Sequence, residues 1–339
     1  MICMSSGFGS KLRIQVFGQS HSPEIGVVID GLPCGMILDM DRIQKFIDRR
    51  KGGKNAYSTK RVEADVPEIV SGVVDGVTCG APLCALFKNQ NFKKEDYEKT
   101  STILRPSHAD FTAWVKYGGY QDKTGGGMFS GRLTLPMVFA GAVCEQYLEK
   151  RGITVSGRIV SIGGIENDEK AQIELMEKVA SEGDSVGGIV ECEIKGVPAG
   201  VGEPLYDSVE SEIAHIVFGI PAVKGIEFGM GFAGVSGRGS EVNDEFYIES
   251  DAQRETILTR TNNSGGIQGG ITNGMPIVFR VAIKPTPTIY KKQNSVDIET
   301  FKDVELEVTG RHDPCIVPRA LPCVEAAAAI AITDLYLQR

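Results

Sequence analysis

Residues 324–337, VEAAAAIAITDLYL, constrain the fold of this chain more than any other stretch. Alanine is the strongest helix former, and a helix this apolar is built to pack inside a protein. The residues just before it are of another kind. Arg311, His312, Asp313 and Arg319 stand among Pro314, Pro318 and Pro322. Proline fixes its own φ and restricts the residue before it. Charged groups on so stiff a backbone lose little freedom when they bind, which suits a ligand site. Read locally, the segment is either a rigid charged site mounted on a buried helix or an ordinary proline-rich turn with solvated charges.

The chain of 339 residues is 42% hydrophobic, which suits a globular protein with ample core material, as one large domain or two small ones. Its net charge of −8 argues against nucleic acid or an anionic membrane as partner, yet leaves room for a small anion where cations cluster. Eight scattered cysteines without a CxxC pair or a His/Cys metal spacing read as reduced thiols. No metal site is expected. The first ten residues lack a charged-then-apolar leader and no apolar run approaches a membrane span, so a cytoplasmic protein is expected.

Taken in order, residues 11–17 alternate as a strand that Gly18-Gln19-Ser20-His21 ends, and residues 25–29 form a second. His21 therefore sits where a strand stops, a usual place for catalytic side chains and equally for a histidine that caps its own loop. Residues 39–50 predict a helix capped by Asp39 or Asp41, with Ile43, Phe46 and Ile47 on its apolar stripe. Arg49, Arg50 and Lys51 suit a helix C-terminus, and with Lys54, Lys60 and Arg61 they could also form an anion funnel. Residues 62–86 read as strands with turns at Ser71-Gly72 and Asp75-Gly76, and residues 89–102 as a polar surface loop. His108 lies beside Arg105 before a short helix over residues 111–117 that Ser107 or Asp110 could cap. A glycine loop follows at 121–131, then Arg132, then a helix over 136–151 with Pro136 near its start and Val138, Phe139, Ala142, Val143 and Tyr147 as its stripe.

Strands are expected over 153–165 and 188–194, and helices over 168–182 and up to Phe218 from a capping box of Asp207 and Glu210. His215, near the apolar side of that last helix, reads as a core or interface residue. Residues 229–234, GMGFAG, match the dinucleotide fingerprint, but VSGRGSEVN follows where the fingerprint needs a helix, so a nicotinamide fold is rejected. A second glycine loop at 261–274 leads to a strand whose Ile277, Phe279, Val281 and Ile283 share one face. Lys284-Pro285-Thr286-Pro287-Thr288 then offers an ammonium and two hydroxyls that suit a phosphate or a flavin edge, or simply leaves the strand.

Residues 310–326, GRHDPCIVPRALPCVEA, closely resemble the C-terminal signature of chorismate synthases. Residues 17–35, FGQSHSPEIGVVIDGLPCG, residues 105–118, RPSHADFTAWVKYG, and residues 262–289, NNSGGIQGGITNGMPIVFRVAIKPTPTI, match the same family in order and at the expected spacings. The resemblance covers nearly the whole chain. It implies a single domain over residues 1–339 of α+β class, an α/β sandwich with helices between antiparallel sheet layers, assembled as a homotetramer. It implies a lyase acting on 5-enolpyruvylshikimate 3-phosphate by 1,4-elimination to give chorismate and phosphate, the last common shikimate-pathway step toward aromatic amino acids. It implies reduced FMN as cofactor, supplied by an external flavin reductase, and associates NADPH with the activity.

By position, the resemblance assigns His21, His108 and Asp313 to catalysis and Arg50, Arg105 and Arg132 to the substrate. It assigns Ser130, Asn263, Ser264, Gly269, Lys284, Pro285, Thr286, Pro287, Thr288 and Arg311 to the flavin. The chain departs from the family where Met128 replaces an arginine in GGGMFSGRLTLP, where a Glu-Thr pair is missing, and where an arginine falls at Ala56. Two competing readings are a non-catalytic flavin- or phosphate-binding relative and a nucleotide-dependent oxidoreductase. Retained His21, His108 and Asp313 favour the lyase over the first, and the missing helix after Gly234 disfavours the second.

Overall fold

A computed structural model describes residues 6–53, 63–89, 102–250, 255–308 and 313–339. Lys54, Ala56, Lys60, Arg61, Arg311 and His312 lie outside the described residues. Two five-stranded sheets frame the molecule. The first is ordered β1-β2-β3-β5-β4, with β1 Gly7–Phe8, β2 Arg13–Gly18, β3 Glu24–Asp30, β4 Glu68–Ser71 and β5 Leu83–Lys88. The second is ordered β9-β10-β8-β6-β7, with β6 Thr154–Ile162, β7 Ile165–Glu166, β8 Gly188–Lys195, β9 Val223–Phe228 and β10 Ile277–Ile283. Every neighbouring pair in both sheets is antiparallel.

Alternation decides which face of each strand turns inward. Ile25, Val27 and Ile29 of β3 and Leu83, Ala85 and Phe87 of β5 are buried on the inner face of the first sheet, and Ile277, Phe279, Val281 and Ile283 of β10 on that of the second. The longer helices among the described residues are α1 Met40–Arg50, α2 Asp110–Tyr117, α3 Thr134–Glu149, α4 Glu169–Ser181, α5 Val209–Phe218 and α6 Val317–Gln338. Helix α3 packs on the first sheet, α6 on β6 and β8 of the second, and the two helices pack on each other. The architecture is thus α+β, with helices between antiparallel sheet layers.

Where the local signals were strong, the elements fall as expected. Asp39 caps α1 by accepting from the Arg42 N–H, and Ile43, Phe46 and Ile47 are buried. Tertiary context moves others. Helix α6 begins at Val317, not after Pro322, because the N–H groups of Arg319 and Ala320 both reach the Ile316 carbonyl. Pro318 occupies the first turn, where a missing N–H costs nothing, and Pro322 forgoes one hydrogen bond in the second. Helix α3 starts at Thr134 and is buried on all sides instead of along one stripe, because α6 covers what the first sheet does not. Ser208, rather than Asp207, caps α5 through the Ser211 N–H. His215 is exposed, with its ring edge-on to Phe8 at 5.3 Å, so it takes no part in the core of this chain. The GMGFAG run enters a 3-10 segment, Gly231–Ser236, and the four-residue helix Gly239–Val242, not the long helix a dinucleotide site requires. One helix among the described residues, α6, is long and apolar enough to cross a membrane, and most of it is buried inside the fold.

Candidate active site

A cavity of about 710 Å³ opens where the C-terminal end of α1, the start of α6, the loop before α2 and the exit of β10 converge. It is within the size range of small-molecule and cofactor pockets. Among the described residues, seven cationic side chains and three carboxylates line it: Arg50, Lys51, Arg105, Arg132, Lys224, Lys284 and Arg319 against Glu63, Asp65 and Asp313. In a protein of net charge −8, this concentrates positive potential in one place.

The cations come from several elements. Arg50 ends α1 and is buried. Its Nε donates to Thr134 Oγ1 at 2.6 Å and its Nη2 to the Gly131 carbonyl at 2.5 Å. Burial, and then the charge of Arg319, lower its pKa to about 10, which leaves it a cation at neutral pH. Arg132, also buried, donates to Asn89 Oδ1 at 2.9 Å and pairs with Asp65. Asp65 itself has a positive φ of 51°, a cost tolerated where a site needs a side chain aimed against local preference. Arg319, one turn into α6, donates to the Arg50 carbonyl at 2.9 Å and pairs with Asp313. Ile316, Arg319, Ala320 and Cys323 follow helical spacing onto the cavity wall. Burial pushes the Cys323 thiol up, so it lines the wall as a neutral group.

Both histidines line the same cavity. His21 follows β2, is buried, and has Nδ1 2.8 Å from Ser20 Oγ. Gly125 packs over it, and a Cβ there would stand 2.4 Å from His21 Cε1. His108 sits in the loop before α2, with Nδ1 2.9 Å from Asp110 Oδ1. Asp110 does not cap α2; its carboxylate instead accepts from the Arg105 backbone N–H at 2.9 Å, from Nε at 2.8 Å and from Nη2 at 2.7 Å. Burial works against the Asp110 charge, but the hydrogen bonds from Arg105 and His108 outweigh it and hold the carboxyl well below the usual range. Lys284, at the exit of β10, donates to the Ser107 carbonyl at 2.8 Å and so ties the His108 loop to the second sheet. Ser107 takes a φ of 58° to make that contact. Burial, and then Lys224, lower the Lys284 pKa.

The cavity thus brings together His21, His108, Asp313, Ser130, Arg50, Arg105, Arg132, Lys284, Thr286, Pro287 and Thr288. Pro285 is exposed and off the wall. Asn263, Ser264 and Gly269 stand elsewhere. Asn263 and Ser264 are clasped by Asp244, which accepts from both backbone N–H groups and from Ser264 Oγ. They lie beside Gly229, whose N–H reaches the Val278 carbonyl near the start of β10, whereas Lys284 follows its end. A strand of this length separates the two places by roughly 20 Å. Gly269 turns the small hairpin of Ile267–Gln268 and Ile271–Thr272 with a φ of 65°. Arg311 is outside the described residues. Asp65, Lys224 and Asp110 escaped the sequence reading of the site. Only Asp110 left a trace there, two positions after His108.

The residues present suit a flavin. Thr286 Oγ1 is buried on the cavity wall without a protein partner among the described residues, a polar group that a bound molecule would satisfy.

A family model described as chorismate synthase matches residues 12–337. A chorismate synthase of Dehalococcoides mccartyi is 44% identical over 99% of this chain and 97% of its own. Those of Korarchaeum cryptofilum and Methanocaldococcus jannaschii are 43% and 40% identical, over 96% and 100% of this chain and 96% and 98% of their own. A solved structure titled as the crystal structure of chorismate synthase is similar with a TM-score of 0.73 at 27% identity, over 97% of this chain and 93% of its own.

Proposed function

The chain belongs to the chorismate synthase family and is an enzyme of that kind; from this premise we propose that it converts 5-enolpyruvylshikimate 3-phosphate to chorismate and phosphate by 1,4-elimination with reduced FMN. The observation that carries the reading is the cavity that combines seven cations with two histidines and Asp313. The substrate bears two carboxylates and a phosphate, and arginine meets such groups through paired donors. Arg50, Arg105, Arg132 and Arg319 are the groups to grip and orient it. Their fixed hydrogen bonds mean little reorganisation is needed on binding.

One imidazole, of His21 or His108, delivers a proton to the leaving phosphate, and the other sets the protonation of the reduced cofactor. Asp313, held by Arg319, accepts the departing proton. Ser130, Lys284, Thr286, Pro287 and Thr288 are the cavity residues to hold the flavin, with Thr286 Oγ1 offering the spare hydrogen-bonding capacity. Reduced FMN, when bound, would lend an electron that eases loss of phosphate and would take it back as the C–H bond breaks and its proton passes to Asp313, so the reaction has no net redox change. We further expect a cytoplasmic homotetramer fed with reduced FMN by a separate reductase. Phe246, Ile248 and Ile257, exposed on one hairpin, are apolar surface that such an assembly would cover.

The test is an anaerobic assay of the purified protein with 5-enolpyruvylshikimate 3-phosphate and chemically reduced FMN. Chorismate and phosphate in equal amounts are expected, and no chorismate under these conditions overturns the reading.

A further inference from the structure

Beside the cavity, Arg105, His108 and Asp110 form a closed hydrogen-bonded group whose protons can be counted. Arg105 Nη2 carries two protons. One goes to Asp110 Oδ1 at 2.7 Å and the other to the Gly125 carbonyl at 2.7 Å. None remains for His108 Nδ1, although that atom is only 3.2 Å away. Asp110 is ionised and can only accept. The 2.9 Å contact between His108 Nδ1 and Asp110 Oδ1 is therefore an N–H donating to a carboxylate. When the imidazole is neutral, its one proton sits on Nδ1, and Nε2 presents a lone pair to the cavity that His108 lines.

We propose that Asp110 is a positioning residue for the elimination: it holds His108 in the Nδ1–H tautomer and orients Nε2 to take up and give back the proton used in the reaction. The carboxylate does not cap α2 and is turned instead to Arg105 and His108. Arg105 supplies the second half of the device. By occupying the other Asp110 oxygen through its backbone N–H and Nε, it fixes the carboxylate plane.

The inference rests on the proposed function for its kinetic consequence but not for its geometry, and the two are tested separately. In Asp110→Asn the carbonyl oxygen must face the two Arg105 donors that now meet Oδ2. The reverse orientation would set the amide NH₂ against both of those donors, so the NH₂ falls where Oδ1 stands, turns away the Arg105 Nη2 that donates there, and donates to His108 Nδ1. The neutral tautomer is thereby reversed to Nε2–H. The experiment is ¹⁵N NMR of the ligand-free protein at a pH where imidazole is neutral, with the His108 signals assigned by His108→Gln. The wild type is expected to show Nδ1–H and Asp110→Asn to show Nε2–H. In the anaerobic assay, Asp110→Asn should lose kcat by about 10²-fold or more with KM nearly unchanged, the scale seen when a histidine is held in the wrong tautomer.

An Nε2–H signal in the wild type, an unchanged tautomer in Asp110→Asn, or a loss confined to KM overturns the proposal. The wild-type tautomer is read without Asp110→Asn, so failure of that variant to fold leaves this arm of the test intact. Absence of chorismate with the wild type overturns the proposed reaction and leaves the tautomer result standing.

Discussion

Glu145 shows how a single side chain ties this fold to pH. It lies on α3 within 3.9 Å of Arg42 of α1. Burial first, and then the charge of Glu325, raise its pKa to about 7. An unfolded glutamate titrates near 4.5, so between about pH 4.5 and pH 7 the folded protein binds the extra proton. The contribution is therefore full at low pH and is lost as pH rises through 7. Glu145→Gln should be more stable than the wild type above pH 7, by on the order of 2 kcal/mol once partial solvent access is allowed for. The difference should shrink as pH falls from 7 and vanish below about pH 4.5. Thermal unfolding of both proteins across that range reads it, and a wild-type advantage at pH 8 would contradict the sign.

At the scale of elements, the closest approach in the core is between α3 and α6. A Cβ on Gly141 would stand 2.3 Å from Ala326 Cβ and 2.4 Å from its Cα. On an open helix, glycine to alanine gains up to about 1 kcal/mol. Here the added methyl would push on the backbone of a buried helix, and overpacking of that kind costs about 1–3 kcal/mol. Gly141→Ala should therefore destabilise, read as a lower urea midpoint with an unchanged slope; a raised midpoint would mean that the helices separate at little cost. The alanine run of 326–329 is what permits the approach, and it was visible in the sequence as a helix bound for the core. Its partner was not. The stripe Val138, Phe139, Ala142, Val143 and Tyr147 announced one buried face of α3, whereas burial all round came from α6 arriving on the other side. The start of α6 was set too late for a related reason, since proline content says where a helix loses hydrogen bonds but not whether packing makes the loss bearable.

Across the whole molecule, one carboxylate joins the chain ends. Asp334, buried near the end of α6, accepts the backbone N–H groups of Ser10, Lys11 and Leu12 at 2.9, 2.7 and 2.8 Å. Asp334→Ala would strand three donors at the margin of the core, at about 1–3 kcal/mol each before relaxation. Loss of several kcal/mol in denaturant unfolding is expected, with Asp334→Asn losing less because its carbonyl oxygen still accepts. Equal losses in the two variants would mean that shape, not hydrogen bonding, is what the site needs.

The catalytic region shows the same division. His21, Arg50, Arg105, His108, Arg132, Lys284 and Asp313 could each be named along the chain because they fall in stretches that resemble the family's motifs; their places at element boundaries left structural readings open, and the cavity now brings them together. That Asn263 and Ser264 stand at the far end of β10, clasped by Asp244, could not. Nor could the pairing of Arg319 with Asp313 or the use of Asp110 to hold His108. The sequence by itself determined the periods of its strands and helices, the burial of its alanine-rich C-terminal run, the family motifs and most of the charged residues that now face the cavity. Tertiary structure alone decided which element covers which face, which cations are already paired, and which motif residues share one cavity. The physical reason is that periodicity and propensity act over a few neighbouring residues, while a hydrogen-bond partner or a packing surface is supplied by whatever distant segment the fold brings within a few ångströms.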